Sequence, residues 1–417
     1  PDTEPGFVSS GGESWWRVSP TSALPTITAA NTTIDGSTQA INYGSDTNSV
    51  GPEVEINGLS AGAGVNGLTF SSSADSSEVR GLMINRFTAD GIRILSGANS
   101  ITVAENWIGT DGSGLVDRRN VNGLYIQGAD NTIDSNVVVN NSNEGINLTG
   151  AGATGNIIIG NIIGLEPDGS SGSGNGDVGI AILTGASGTT IGGTDPTDRN
   201  IISMNVEGIE VNTANNIIRG NYIGTDITGT QPRGNRSDDG VEIQGSGSNN
   251  IIGGTANGAG NLIAFNQLRG VTIKAGTGNQ ILGNSIHSNN SHGIDLSNNG
   301  VSANDGNTGA LPNVGMDYPV LTTVSLSGSD LYIEGYVGTA ASKIAGTHTI
   351  ELFKADDDGG SNGEIEAGDG QSVGHGEGRW FVDRCTSAAD GTFRCDLTVP
   401  GTVTLAISDP VTATATD

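Results

Sequence analysis

The chain has little from which to build a wide core: aromatics make up 4% of its 417 residues and hydrophobic residues 34%. Those fractions exclude a broad globular interior, whereas narrow stacked coils, in which a few inward side chains meet their neighbours, need no more. Basic residues are also scarce, 17 Lys and Arg against 45 Asp and Glu, and the lysines are Lys274, Lys343 and Lys354 alone. A formal net charge of −28 repels nucleic acid and anionic lipid. It attracts cations, so ion-rich extracellular surroundings suit it, although a solvated acidic surface needs no partner. No apolar run is long enough to span a membrane. Pro1-Asp2-Thr3-Glu4 lacks the basic and apolar regions of a signal peptide, which implies that any leader has been removed. The only cysteines, Cys385 and Cys395, are placed to meet across facing strands of a hairpin as a disulfide. Two free thiols are the alternative, and no soft ligand nearby suggests a metal site.

What is abundant is glycine, 68 residues, and it recurs in a pattern of glycine, apolar, any residue, apolar. Gly67-Leu68-Thr69-Phe70, Gly91-Ile92-Arg93-Ile94, Gly123-Leu124-Tyr125-Ile126, Gly145-Ile146-Asn147-Leu148 and Gly179-Ile180-Ala181-Ile182 begin the series. Gly208-Ile209-Glu210-Val211, Gly240-Val241-Glu242-Ile243, Gly270-Val271-Thr272-Ile273 and Gly293-Ile294-Asp295-Leu296 complete it, with starts 22 to 34 residues apart. The shortest spacing fits a coil of three short strands and three turns, flanking aliphatics inward and the middle residue outward. A second strand follows asparagine in Asn106-Trp107-Ile108, Asn136-Val137-Val138, Asn161-Ile162-Ile163, Asn221-Tyr222-Ile223 and Asn284-Ser285-Ile286. Asparagine tolerates the left-handed backbone of a tight corner, and its amide can bond the same amide one coil on. The longer spacings hold excursions such as Ile108-Gly109-Thr110-Asp111 and Ile223-Gly224-Thr225-Asp226, expected to project on recurring sides. The fold class is therefore all-β: a right-handed parallel β-helix over residues 24–318, followed by a small antiparallel β-sandwich over 319–417. Residues 1–23, with Trp15 and Trp16, are expected to cap the open end of the core or to donate a strand to another copy. The strands of the sandwich are read at Asp330–Val337, 347–353, 391–399 and 403–407. The abrupt end at Thr412-Ala413-Thr414-Ala415-Thr416-Asp417 suggests a cut inside a longer protein.

These coils resemble extracellular right-handed β-helix proteins of the pectin-lyase-like superfamily, especially large bacterial surface proteins with Ile-Gly-Thr-Asp and Ile-Gly-Gly-Thr repeats. The likeness rests on the motifs above, on Ile191-Gly192-Gly193-Thr194 and Ile252-Gly253-Gly254-Thr255, and on Tyr318-Pro319-Val320-Leu321 at the domain junction. It implies a secreted or cell-surface location and an immunoglobulin-like sandwich. It leaves activity open, because the superfamily holds polysaccharide lyases and hydrolases beside surface proteins without assigned chemistry.

The sharpest local motif runs from Asp358 to Asp369 in the sandwich. Read as a twelve-residue calcium loop, it offers Asp358, Asn362, the Glu364 carbonyl, Glu366 and Asp369 as ligands around a turn at Gly363. It departs from that pattern in Gly360 and in ending on aspartate; an acidic, solvated hairpin is the alternative. Trp107 and Tyr222 occupy equivalent places in two coils and suggest an apolar stripe on which sugars stack. For lyase chemistry, Arg269, Lys274, His287 and His292 fall within two successive coils, a proximity that stacking produces by chance. For hydrolysis, outward carboxylates such as Glu210 and Glu242 stand one coil apart, within the roughly 5–9.5 Å that glycosidases use. Asp295, Asn304 and Asp305 read as turn caps. With no convergent catalytic cluster apparent, the expectation is a non-enzymatic structural or adhesive rod, stabilised by Ca²⁺ and able to form fibres by strand donation or end-to-end stacking. The alternative is a polysaccharide lyase or glycoside hydrolase working along the side of the helix.

Overall fold

A computed structural model describes residues 6–10, 12–44, 46–300, 302–355, 365–366, 375–376, 378–407 and 409–416, with the backbone alone at residues 40, 42, 43, 365–366 and 375–376. The chain winds into a parallel β-helix with three sheets, here called faces, and closes with two three-stranded antiparallel sheets. One short helix, Thr38–Tyr43, interrupts the coils, and no helix among the described residues is long and apolar enough to cross a membrane.

All nine glycine-apolar motifs become the nine strands of face 2, in register from Leu68 through Ile92, Leu124, Ile146, Ile180, Ile209, Val241 and Val271 to Ile294. Their aliphatics enter one continuous core that runs along the coils. The motif glycine is required by close approach: a Cβ on Gly208 would lie 2.2 Å from the Gly240 carbonyl oxygen, and one on Gly123 would lie 2.5 Å from that of Gly145.

Asparagine ladders pin the corners. Asn106, Asn136, Asn161, Asn200, Asn221, Asn261 and Asn284 form one, each Nδ2 donating to the Oδ1 of the next at 2.8–3.1 Å. A second runs from Asn120 through Asn141, Asn175, Asn205, Asn235 and Asn266 to Asn289. A shorter third links Asn216, Asn250 and Asn279. The left-handed backbone expected at the asparagines belongs instead to the residue before them, among them Glu105, Ser135, Gly160 and Gly220 in the first ladder and Met204 and Phe265 in the second. That residue turns the chain, which leaves the asparagine extended enough to stack.

The N-terminal segment does not sit on the core. Phe7–Ser10 and Glu13–Val18 form a hairpin whose second strand pairs in parallel with Val54–Asn57, a strand of the sheet that continues through Leu82–Asn85 and Trp107–Ile108 to Ser285–His287 and is here called face 1. Trp15 is buried with Met83, Trp107, Val137 and Val139 in a separate cluster. The cluster grows on the outer side of face 1, where Met83, Trp107, Val137, Ile162, Ile201 and Tyr222 are register neighbours. The excursions fold back over this apolar stripe: Gly112 packs on Trp15, Gly114 on Pro167 and Trp107, Gly169 on Ile227, and Gly229 on Tyr222.

In the sandwich, Pro319–Ser327, Asp330–Val337 and Thr392–Thr398 face Gly378–Thr386, Thr349–Ala355 and Val411–Thr416. The strand expected at 403–407 is absent, Ile407 being 89% exposed, and Val411–Thr416 pairs in its place with the central strand. Cys385 and Cys395 form a disulfide with a Cα–Cα distance of 6.1 Å. It joins the two sheets across the core rather than two strands of one hairpin, because Cys385 lies opposite Ile350 and Cys395 opposite Ile333.

Candidate functional site

Face 2 turns its middle residues outward, and over three successive coils these are Glu210, Glu242 and Thr272, with Glu210 directly opposite Glu242. The position before the motif glycine adds a second row, Glu144, Val178, Glu207, Asp239, Arg269 and His292, polar apart from Val178. Where the rows meet, carboxylates crowd together. Oxygens of Glu207, Asp238 and Glu242 all lie within 4.8 Å of one another.

Each carboxylate here has a different environment. Glu210 accepts from Asn212 Nδ2 at 2.8 Å and Gln244 Nε2 at 2.7 Å. Glu242, only 2% exposed, is ion-paired with Lys274. Asp239 accepts from the Arg269 amide at 2.9 Å, and the Arg269 guanidinium lies between Asp239 at 3.6 Å and Asp295 at 2.8 Å. Glu207 is 8% exposed, and its buried Oε1 has no hydrogen-bond partner.

Protonation follows from these surroundings. Burial, reinforced by the charges of Glu242, Asp238, Glu210 and Asp239, pushes the Glu207 carboxyl up to about 10. Burial also raises Asp177, Glu144 and Asp239, with Glu210 adding repulsion at the first two and Asp238 at the third. Glu242 moves up by burial too, but Lys274 opposes the rise. Lys274 itself is raised: burial alone would lower it, and Glu242, Asp238 and Asp239 outweigh that. Glu207 therefore holds a proton at neutral pH next to a carboxylate with its own counter-ion. Asp238, half-buried, and Lys274, whose side chain is 29% exposed, connect the pair to solvent.

Glu210, Glu242, Lys274 and Arg269, singled out from sequence, do converge. His287 does not join them: it is on face 1, edge-on to Phe265 at 5.8 Å. His292, one coil beyond Arg269, lines a cavity of about 260 Å³ between the last coils and the sandwich, alongside Ile281, Ile294, Met316 and Phe353. The proposed sugar stripe fails on geometry. Trp107 is buried at 7% exposure beneath the excursion loops, and Tyr222 is covered by the Arg199 guanidinium, 4.0 Å from its ring centre. Asp295 caps the amides of Asn299 and Gly300, and Asn304 bridges Tyr318 and Gly338. The calcium-loop side chains of Asp358, Asn362, Glu364, Glu366 and Asp369 lie outside the described residues. Sequence reading passed over Glu207, Asp238 and Asp239, although the recurrence of polar residues just before the motif glycine marks the row of Glu207 and Asp239, which Asp238 adjoins.

No protein-family model matches the chain. Its structure is similar to the A-module of the Azotobacter vinelandii mannuronan C-5 epimerase AlgE4, with 14% identity, 67% of this chain and 80% of that one covered, and a TM-score of 0.38. It is also similar to the enzymatically active domain of bacteriophage CBA120 tailspike protein 2, at 12% identity, 97% and 68% coverage and a TM-score of 0.35. A third similar structure is tailspike protein gp49 of Acinetobacter baumannii bacteriophage Fri1, a capsular polysaccharide depolymerase, at 8% identity, 93% and 83% coverage and a TM-score of 0.26. Superpositions this loose leave the chemistry to be argued from the chain's own residues.

Proposed function

We propose that this protein is an extracellular enzyme that cleaves a glycosidic bond of a polysaccharide on the outer side of face 2. Glu207 is the proton donor to the leaving oxygen, and Glu242 is the ionised carboxylate that meets the positive charge developing at the sugar carbon. The observation that carries this is the unequal pair: a buried, protonated Glu207 within 4.8 Å of a Glu242 that has Lys274 as counter-ion. Glycoside hydrolysis needs that inequality, since one carboxyl must deliver a proton at the pH at which the other is charged. The closeness suits retention, whose carboxyl groups stand about 5–5.5 Å apart, rather than inversion, which leaves room for a water between them. The long face beside the pair supplies a track for neighbouring sugars, with Arg93 stacked on Tyr125 at 4.4 Å as a polar-aromatic surface upstream. A purely structural rod, the sequence expectation, gives no role to an uncompensated buried acid, which such a surface would exclude.

The test is release of reducing ends from a panel of acidic and neutral polysaccharides. Wild type is expected to cleave at least one of them, with Glu207→Gln and Glu242→Gln each slower by roughly a hundredfold or more. Undiminished cleavage in both variants would place the chemistry elsewhere; unsaturated ends in place of reducing ends would make it elimination.

A further inference from the structure

We propose that the cavity between the last coil and the sandwich is a binding site for a small, uncharged, mostly apolar alcohol of on the order of ten non-hydrogen atoms. This site does not depend on the hydrolytic reading above.

The two walls of the cavity differ because one is the end of a stack and the other is the back of a sheet. Along the coils each set of inward aliphatics is covered by the next coil, until Gln280–Leu282, Ser285–His287 and Ile294–Leu296 end the three faces. Ile281, Ile294 and Leu296 pack on the core but stay only partly buried. What meets them is the outer side of a sandwich sheet. Alternation along Val411–Thr416 sends Val411, Ala413 and Ala415 to the sandwich core, and along Thr349–Ala355 it sends Ile350 and Leu352 there. Thr412, Thr414, Thr416 and Glu351 therefore face the coils. Two of them reach across: Glu351 accepts from the Gly283 amide at 2.6 Å, and Thr416 Oγ1 donates to the Ile281 carbonyl at 3.3 Å. With Ser285 Oγ donating to the Arg379 carbonyl at 2.5 Å, these bonds fasten the two walls together, and about 260 Å³ of cavity lies between them.

Three buried polar atoms of residues lining this cavity have no hydrogen-bond partner among the described residues. They are His292 Nε2, Thr414 Oγ1 and Glu351 Oε1, the last with Arg384 Nη2 at 3.5 Å. Unpaired buried atoms occur elsewhere in the chain, Asp239 Oδ2 among them. What distinguishes these three is that they belong to one cavity whose remaining wall includes Ile281, Ile286, Ile294, Leu296 and Met316. The aliphatic wall calls for an apolar body and leaves a charge without compensation. A hydroxyl both donates and accepts, so it can serve an acceptor such as Glu351 Oε1 and a donor such as the Thr414 hydroxyl. Water answers the polar atoms too, but leaves the aliphatic wall wet. A dry cavity of about 150 Å³ takes a benzene ring, which sets the size given above. Since the molecule touches both walls, its binding ties the sandwich to the coils and stabilises the folded chain.

Equilibrium dialysis of the full chain against 2-naphthol, two fused rings with one hydroxyl, and against naphthalene, the same rings without it, tests the site. Wild type is expected to take up one 2-naphthol per chain in a saturable manner and to melt at a higher temperature with it. Thr414→Val keeps the shape and removes an unpaired hydroxyl, so it should fold as wild type does. It should bind 2-naphthol about five- to tenfold more weakly and naphthalene as before. Thr414→Trp, which puts a ring into the cavity, should block both probes while its circular dichroism matches wild type; if it does not fold, Thr414→Val decides alone. No saturable uptake of 2-naphthol up to its solubility limit overturns the proposal, as does uptake unchanged in Thr414→Val or in a folded Thr414→Trp. Equal weakening of both probes in Thr414→Val would show that the cavity reads shape and not the hydroxyl, and overturns it as well.

Discussion

Glu55 and Glu207 are both buried on the outside of a face, and their contacts send them in opposite directions. At Glu55, bonds from Asn57, Trp15, Arg17 and Asn85 outweigh the burial that would raise it, and its carboxyl stays low. At Glu207 nothing opposes burial, and the carboxyl rises to about 10. A proton kept by the folded chain and released on unfolding makes folding weaken with rising pH, from about 4.5, where the unfolded group ionises, to about 10. Glu207→Gln should therefore unfold at higher denaturant than wild type at pH 8–9, by up to about 5–6 kcal/mol, with the difference vanishing near pH 4. Parallel stability curves for the two across that range would show that Glu207 is already ionised. Half of this cluster was legible in the sequence. Glu210 and Glu242 stand at predictable outward places and Arg269 and Lys274 flank the next strand, but Glu207 opens its strand and Asp238 and Asp239 precede theirs, where alternation does not say which way a side chain points. Only the stacking of coils shows that they meet.

At the scale of the element, the strands of face 2 were legible throughout because each carries its own glycine and aliphatic pair. The corners were legible in part. Asparagine was recognised as the stacking residue, yet the three ladders and the left-handed residue before most rungs emerge only in three dimensions. A mid-ladder rung is held from both sides: Asn161 accepts from Asn136 and donates to Asn200 and to the Ile133 carbonyl. Asn161→Ala should cost about 2–4 kcal/mol in denaturant unfolding, since it strands two neighbouring amides in a dry corner. A loss below about 1 kcal/mol would mean that water or local shifts replace the rung. The excursions were misjudged for a related reason. They were expected to project from the sides, whereas Gly112 and Gly114 are small so that the chain can lie flat on Trp15 and Trp107. An aromatic that looks like a sugar platform in sequence is, in this fold, the underside of a loop.

For the molecule as a whole, composition already dictated the architecture, because few aromatics and abundant glycine suit a core that is narrow and long. The last coil strand ends at Leu296 and the antiparallel strands of the sandwich begin at Pro319. The disulfide partners were identifiable too, but not that the bond crosses between sheets, since that depends on which sheet each strand joins. A net charge of −28 spread along such a scaffold is ordinary solvation in most places. It becomes chemistry where burial and stacking force several carboxylates into one spot, and the account depends on one of them being protonated there. Infrared difference spectroscopy between wild type and Glu207→Gln at pH 7 reads that directly. A protonated-carboxyl C=O band present in wild type, missing from the variant and fading as pH is raised towards 10 is the predicted result; no such band at pH 7 would contradict the account.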